Sequence, residues 1–315
     1  MKARSFLSYL SSTAVMLLVG LCSTTPSFPA QQPSAGTTPV SVVVSAEAKR
    51  GNEVPHVSRE DVRVMAGRNR LQITGWVPYQ GNQAGLELMV LIDELSNPSL
   101  SINYDDLQRF FAAQPATTAI AVGYMENGSA LMVQQFTTDR SAADKALRIP
   151  IGMAAGASSP YLAVAEAIKR WPDSDNRHVI FMISSGFDPM QPGTQDTYLQ
   201  NAITQAQKTG TQVYAIYAEG SSHFSHSFWR TNQAQSNLSQ LADQTGGESY
   251  FQGTKTPISF TPFLEQFAAR LNHQYKLTFL APAGKKSSHL QIQVQTEVPN
   301  VELVTAGSVF VPAQN

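Results

Sequence analysis

The stretch LELMVLIDELSNPSLS at 86–101 decides the fold. Up to Ile92 it is apolar apart from Glu87; Asp93 follows, and then a cluster of Ser and Asn. An apolar run of this length, opening after Gly85 and ending in loop chemistry, reads as a strand covered on both faces. Such a strand needs helices on either side of its sheet, so helices and strands should alternate after it. The next segment, YDDLQRFFAAQ, places Tyr104, Leu107, Phe110 and Phe111 at helical spacing. TAIAVGYM (118–125) and SALMVQQF (129–136) read as strands joined by the tight ENG turn. DRSAADKAL is a short helix, and Ser159–Pro160 caps and opens YLAVAEAIKRW. HVIFMIS (178–184) and QVYAIYA (212–218) are further buried strands. Leu199, Ala202, Ile203 and Ala206 mark a helix face between them, which Gly210 ends. NLSQLADQTGG is a helix with its glycine stop, ESYFQ a short strand, and Thr261–Pro262 the cap of a last helix carrying Phe263, Phe267 and Leu271 inward. The pattern predicts an α/β fold over 83–272, doubly wound around a mostly parallel sheet.

Both flanks read as β. VSVVVSA at 40–46 is β-branched, and DVRVMAG (61–67) with RLQITGWV (70–77) suggests a hairpin about Gly67–Asn69. YKLTFLA (275–281), LQIQVQTEV (290–298) and VELVTAG (301–307) close the chain. Residues 40–82 and 273–312 are expected to pair as a small discontinuous β-sandwich. Residues 24–39 (TTPSFPAQQPSAGTTP) read as an extended linker.

The first 23 residues read as a signal peptide, with Lys2 and Arg4 ahead of the apolar AVMLLVGL and a Ser/Thr/Pro exit. A lipid anchor on Cys22, the sole cysteine, is the rival, although Leu21 stands where a small residue is usual. Either way the chain is expected outside the cytoplasm, periplasmic or extracellular, with no disulfide. No later segment is long and apolar enough to span a membrane. A net charge of −1 without a basic block argues against a nucleic-acid partner.

Ligands of open α/β sheets sit beyond the carboxyl ends of the strands. That selects DELSNPSLS, SSGFDPM and EGSSHFSHSFWR, with AGASSP reaching the same rim. The first loop has no glycine to let backbone N–H groups approach a phosphate, and neither GxGxxG nor GxxxxGKS occurs.

The arrangement resembles the von Willebrand factor A domain, and in particular bacterial exported relatives with β segments on either side. VSREDVRVMAGRNRLQITGW is similar to the family's N-terminal β module. LMVLIDELSNPS stands where the family has its DxSxS metal motif, and FMISSGFDP where it has a strand ending in an Asp-Gly turn. GGESYF and LNHQYKLTF are similar to late family signatures. The resemblance covers about residues 40–312, carried by the order of elements. It implies a metal-ion-dependent adhesion site holding Mg²⁺ or a similar ion, which needs an octahedron of oxygen donors. Asp93 matches the first Asp, but Leu95 and Asn97 stand at the two hydroxyl positions, and Ser185 replaces the second Asp. Ser96, Ser99 and Ser158 are the substitutes on offer, with Asp188 three residues after Ser185. The expectation is a degenerate site without a metal, Asp93, Ser96 and Ser158 being the weak candidate ligands.

The HFSH run adds His223 and His226, beside Phe228, Trp229 and Arg230, in one rim loop. Trp and Arg are common interface anchors. The reading is a non-enzymatic adhesion-type module that meets an unidentified protein partner through Asp93, Ser96, Ser99, Ser158, Ser185, Asp188, His223, His226, Trp229 and Arg230. Two alternatives stand beside it. One is a metal-dependent adhesion domain with altered ligands. The other is a serine hydrolase built on Ser184–Ser185–Gly186 with rim His and Asp.

Overall fold

A computed structural model describes residues 36–152, 159–191, 196–221 and 227–314. The predicted buried strand is β5 (Leu86–Asp93), with every residue buried. It is central in a six-stranded sheet. Before it come β1 (Gly36–Ala48), β2 (Val62–Ala66), β3 (Asn69–Leu71) and β4 (Ile73–Pro78). After it run α1 (Tyr104–Ala113), β6 (Thr118–Glu126), β7 (Ser129–Thr137), α2 (Arg140–Lys145), α3 (Pro160–Lys169), β8 (Arg177–Ser184), α4 (Thr197–Thr209), β9 (Gln212–Tyr217), α5 (Phe228–Thr245), β10 (Ser249–Tyr250) and α6 (Thr261–Asn272). The strand order is β10-β9-β8-β5-β6-β7, and β7 alone is antiparallel to its neighbour. The doubly wound, mostly parallel sheet expected from the alternation is therefore present.

Alternate residues of β5 feed two cores. Leu88, Val90 and Ile92 pack with Leu107, Phe110 and Phe111 of α1 and Leu264 and Phe267 of α6. Met89 and Leu91 pack with α3, α4 and α5 on the other face. The β6–β7 turn uses Asn127 (φ 51°) and Gly128 (φ 70°), the two left-handed positions that a two-residue hairpin loop demands.

Helix caps follow the sequence with one exception. Ser159 accepts from Leu162 N–H at 3.1 Å and opens α3. Asp139 accepts from Ser141 and Ala142 N–H and opens α2. Replacing it (Asp139→Ala) is expected to cost about 1 kcal/mol, read as a small drop in melting temperature. Thr261 is not a cap. It is the first residue of α6, whose leading N–H groups are taken by the Asp106 carboxylate of α1, with Phe260 N at 2.7 Å and Thr261 N at 3.1 Å.

The remaining strands are β11 (Gln274–Ala283), β12 (Ser288–Gln291), β13 (Gln293–Thr296), β14 (Val301–Val304) and β15 (Ser308–Val311). They form sheets β14-β1-β11-β4, β13-β2-β3 and β12-β15. Val44 and Phe279 of the first pack against Val64 and Leu71 of the second and Val309 and Val311 of the third. Two runs read as single strands divide between sheets. RLQITGWV breaks at Gln72, so that β3 pairs with β2 while β4 pairs with β11. LQIQVQTEV breaks at Ile292, sending β12 to β15 and β13 to β2. A chain that crosses between packed sheets keeps its in–out alternation, so periodicity alone does not show the crossing.

Candidate functional site

Asp93 ends β5 with no exposed surface. Its Oδ1 accepts from Leu95 N–H at 3.0 Å, and its Oδ2 accepts from Ser184 O–H at 2.7 Å. Ser184 ends the neighbouring β8, and its Oγ accepts in turn from Gly186 N–H at 3.0 Å. Gly186 has φ 69°, and a Cβ there would lie 2.6 Å from both Ala234 O and Leu238 Cγ of α5. A glycine is therefore required where this turn passes under the helix. Its carbonyl accepts from Tyr161 O–H at 2.7 Å. Burial pushes the Asp93 carboxyl up to about 6 from an ordinary 3.8; the two hydrogen bonds oppose the shift, and nearby Glu94 and Asp188 add to it.

Asp188 also lies inside. Its Oδ2 accepts from Ser159 O–H, and its Oδ1 from Met190 N–H at 2.8 Å and Gln191 N–H at 3.2 Å. Burial raises its carboxyl too. Ser159 thus has two roles, helix cap and partner of Asp188, of which the sequence shows only the first.

The loop after β5 is zipped to the loop after β9. Ser96 bridges to Gly220, Asn97 N–H donates to Glu219 O at 2.8 Å, and Ser221 N–H donates to Leu95 O at 2.8 Å. Beside it, Glu94 is wholly buried and paired with Arg148, whose guanidinium lies 3.9 Å above the Tyr124 ring. Glu94 also accepts from Ile151 N–H at 2.8 Å, and its carbonyl from Gly152 N–H at 2.8 Å. This pair, absent from the sequence reading, pins residues 148–152 to the rim. A Glu directly after a strand-end Asp is the signal that marks it.

Among the described residues, the donors around Asp93 do not form an octahedral oxygen cage. Both Asp93 oxygens are engaged, Leu95 offers no side-chain oxygen, and Asn97 Oδ1 accepts from Ser99 N–H at 3.0 Å as a helix cap. Asp188 is turned to Ser159 and its own turn. Ser96 Oγ is buried without a partner. No group of three or more His, Cys, Asp or Glu suited to a metal occurs among the described residues.

No protein-family model matches the chain, and no curated protein is significantly similar to it. Similar solved structures include an aerotolerance-related membrane protein from Bacteroides fragilis bearing multiple mutations to serine (14% identity, 60% of this chain and 99% of that one, TM-score 0.43). Another is the conserved hypothetical protein BatB from Bacteroides thetaiotaomicron (15% identity, 59% and 98%, TM-score 0.43). A third is VWA2, an ArnB paralog from Sulfolobus acidocaldarius (9% identity, 87% and 76%, TM-score 0.39).

Several expected contact residues do not reach the surface. Asp93, Ser96, Ser185 and Asp188 are buried, with Asp93, Ser185 and Asp188 hydrogen-bonded to their own turns, while Ser99 is exposed. Phe228, Trp229 and Arg230 are not in a loop but form the first turn of α5. Trp229 is 80% exposed, and the Arg230 guanidinium lies 5.6 Å from the Phe187 ring. Ser158, His223 and His226 fall outside the described residues. Among the described residues no histidine hydrogen-bonds to Ser184 or Ser185; His178 sits at the far end of the sheet, stacked on Trp171.

The rim exposes large apolar side chains beside polar ones. Ile102, Ile149, Ile151, Met190, Phe228, Trp229, Phe251 and Ile258 all lie on segments beyond the carboxyl ends of the strands. Ile258 is 88% exposed, on a segment joined to that of Ile102 where Asn103 Nδ2 donates to Pro257 O at 3.2 Å. The other large exposed apolar side chains among the described residues are Val77, Leu131 and Val133.

Proposed function

We propose that this protein is an exported, non-enzymatic module that binds a partner protein through apolar side chains on the carboxyl rim of its α/β sheet, without a metal ion. The observation that carries this reading is where most of the exposed large apolar side chains of the described residues sit: on segments at one pole, around a buried polar turn whose Asp93 and Asp188 carboxylates are satisfied internally. Exposed apolar clusters of this kind mark interaction surfaces. Trp229 is its aromatic anchor, and Asp93, Ser184, Ser159 and Asp188 hold the loops that present it. The N-terminal signal-like segment supports a periplasmic or extracellular location. Among the described residues no helix is long and apolar enough to cross a membrane.

Crosslinked capture from the native envelope tests this reading, with wild type compared against Trp229→Ala and Ile258→Ser. Each variant is expected to bind the captured partner about tenfold more weakly, a typical interface-anchor loss, with no change on adding EDTA. A melting temperature that rises with Mg²⁺ or Mn²⁺ in wild type but not in Asp93→Ala would establish the metal-dependent reading instead. Esterase or peptidase turnover abolished by Ser185→Ala would establish the hydrolase.

A further inference from the structure

We propose that a second site, at the opposite pole of the sheet, binds a small oxyanion, carboxylate or phosphate, against Arg177. A cavity of about 510 Å³ opens there, lined among others by Tyr79, Gln114, Thr117, Arg177 and Asn272. Arg177 opens β8, with Leu86 beside it on β5 and Thr118 beyond on β6, all in register. It is only 6% exposed. Its Nη1 donates to Leu271 O at 2.9 Å and Gln274 Oε1 at 2.6 Å, and its Nη2 to Ala84 O at 3.3 Å. Its Nε is buried without a partner. A guanidinium carries five N–H donors, so the Nε–H and one Nη2 hydrogen remain. These sit on adjacent nitrogens, the edge by which arginine grips an oxyanion with two bonds.

The charge points the same way. Every acceptor that Arg177 has is neutral, and no Asp or Glu lines the cavity. Arg270, by contrast, sits between Glu47 and Glu248, and Arg148 on Glu94. A buried cation without a counter-charge is costly to keep. A second arginine without an acidic partner among the described residues braces the cavity wall. Arg140 donates to Thr118 O at 2.9 Å and Pro115 O at 2.7 Å, holding the 114–118 turn. An anion entering here meets one guanidinium directly and feels a second. The Tyr79 ring lies 4.7 Å from the Arg177 guanidinium, at the cavity wall. Nothing in this site depends on the rim reading.

Thermal-shift and calorimetric titration of the full chain with sodium phosphate and with sodium succinate tests it, with sodium chloride at matched ionic strength as the control. A saturable rise of about 2–4 °C with at least one anion is expected. A response to phosphate alone assigns a phosphoryl ligand, and a response to succinate alone a carboxylate. Arg177→Met removes the response. Because that change also loosens Leu271 and Ala84, Thr117→Glu at the exposed mouth is the second variant. It supplies the missing counter-charge from within, so it should raise the basal melting temperature and abolish the anion response. No saturable shift above the chloride control, or a full anion response in Thr117→Glu, overturns the proposal.

Discussion

Asp93→Asn is expected to be more stable than wild type at pH 8 and equal to it near pH 4. In the unfolded chain this carboxyl releases its proton near 3.8, whereas in the fold it holds it to about 6. Between those values the folded state binds more protons than the unfolded one. Stability therefore falls as pH rises through that window and stays low above it. The shift corresponds to about 3 kcal/mol, an upper figure because burial-driven shifts relax in real proteins. Asparagine removes the charge and keeps the shape. Its Oδ1 still accepts from Leu95 N–H, and Ser184 Oγ turns to accept from the amide while keeping its bond from Gly186 N–H. Asp188, Asp196, Glu47, Asp243 and Glu248 are also raised by burial, so wild type alone loses stability with pH for several reasons. The difference between variant and wild type isolates Asp93. Denaturant unfolding at pH 4, 6 and 8 measures it. A variant weaker than wild type at pH 8, above all one that loses a Mg²⁺ response, would show that the charge has a cation to hold and that the metal-free reading is wrong.

The sequence and the structure part company for physical reasons. β5 was legible because eight residues without an exposed position leave a continuous apolar run, and the helices because their inner faces repeat at 3.6 residues. The ENG turn was legible because only residues that tolerate positive φ fit it. The sheet crossings at Gln72 and Ile292 were not, because alternation survives a change of partner strand. At the rim, the position of Asp93 at a strand end was legible, but its contacts were not. Whether a strand-end carboxylate faces solvent, a cation or its own turn depends on where Ser184 and Leu95 N–H arrive from, and residue 184 is far away in sequence. The exposed apolar residues were missed for a related reason. Ile102, Ile151 and Ile258 lie in unrelated stretches that the fold brings to the same end of the sheet. Trp229 was recognised, though as part of a loop, because its helix opens beside residues whose composition is loop-like.

That convergence depends on Arg148, whose replacement by methionine is expected to cost about 2–3 kcal/mol. The Glu94 carboxylate is wholly buried, and Arg148 is its ion-pair partner. Removing the cation leaves a buried charge supported by Ile151 N–H. Arg148 retains 38% exposure of its side chain, so the expected loss stays below that of a fully enclosed pair. Methionine keeps an apolar stem over the Tyr124 ring, so the loss reports the charge and not the packing. The double variant Glu94→Gln with Arg148→Met removes both charges, leaves an acceptor for Ile151 N–H, and should recover most of the stability. Chemical denaturation of the four proteins in this cycle gives the coupling directly. The same pair anchors residues 148–152 and so sets where Ile149 and Ile151 stand. Partner binding at the rim should therefore fall in Arg148→Met and return in the double variant. If the double variant is as unstable as the single, the Glu94–Arg148 ion pair is not what holds this strap, and the cation–π contact of the Arg148 guanidinium with the Tyr124 ring takes that role.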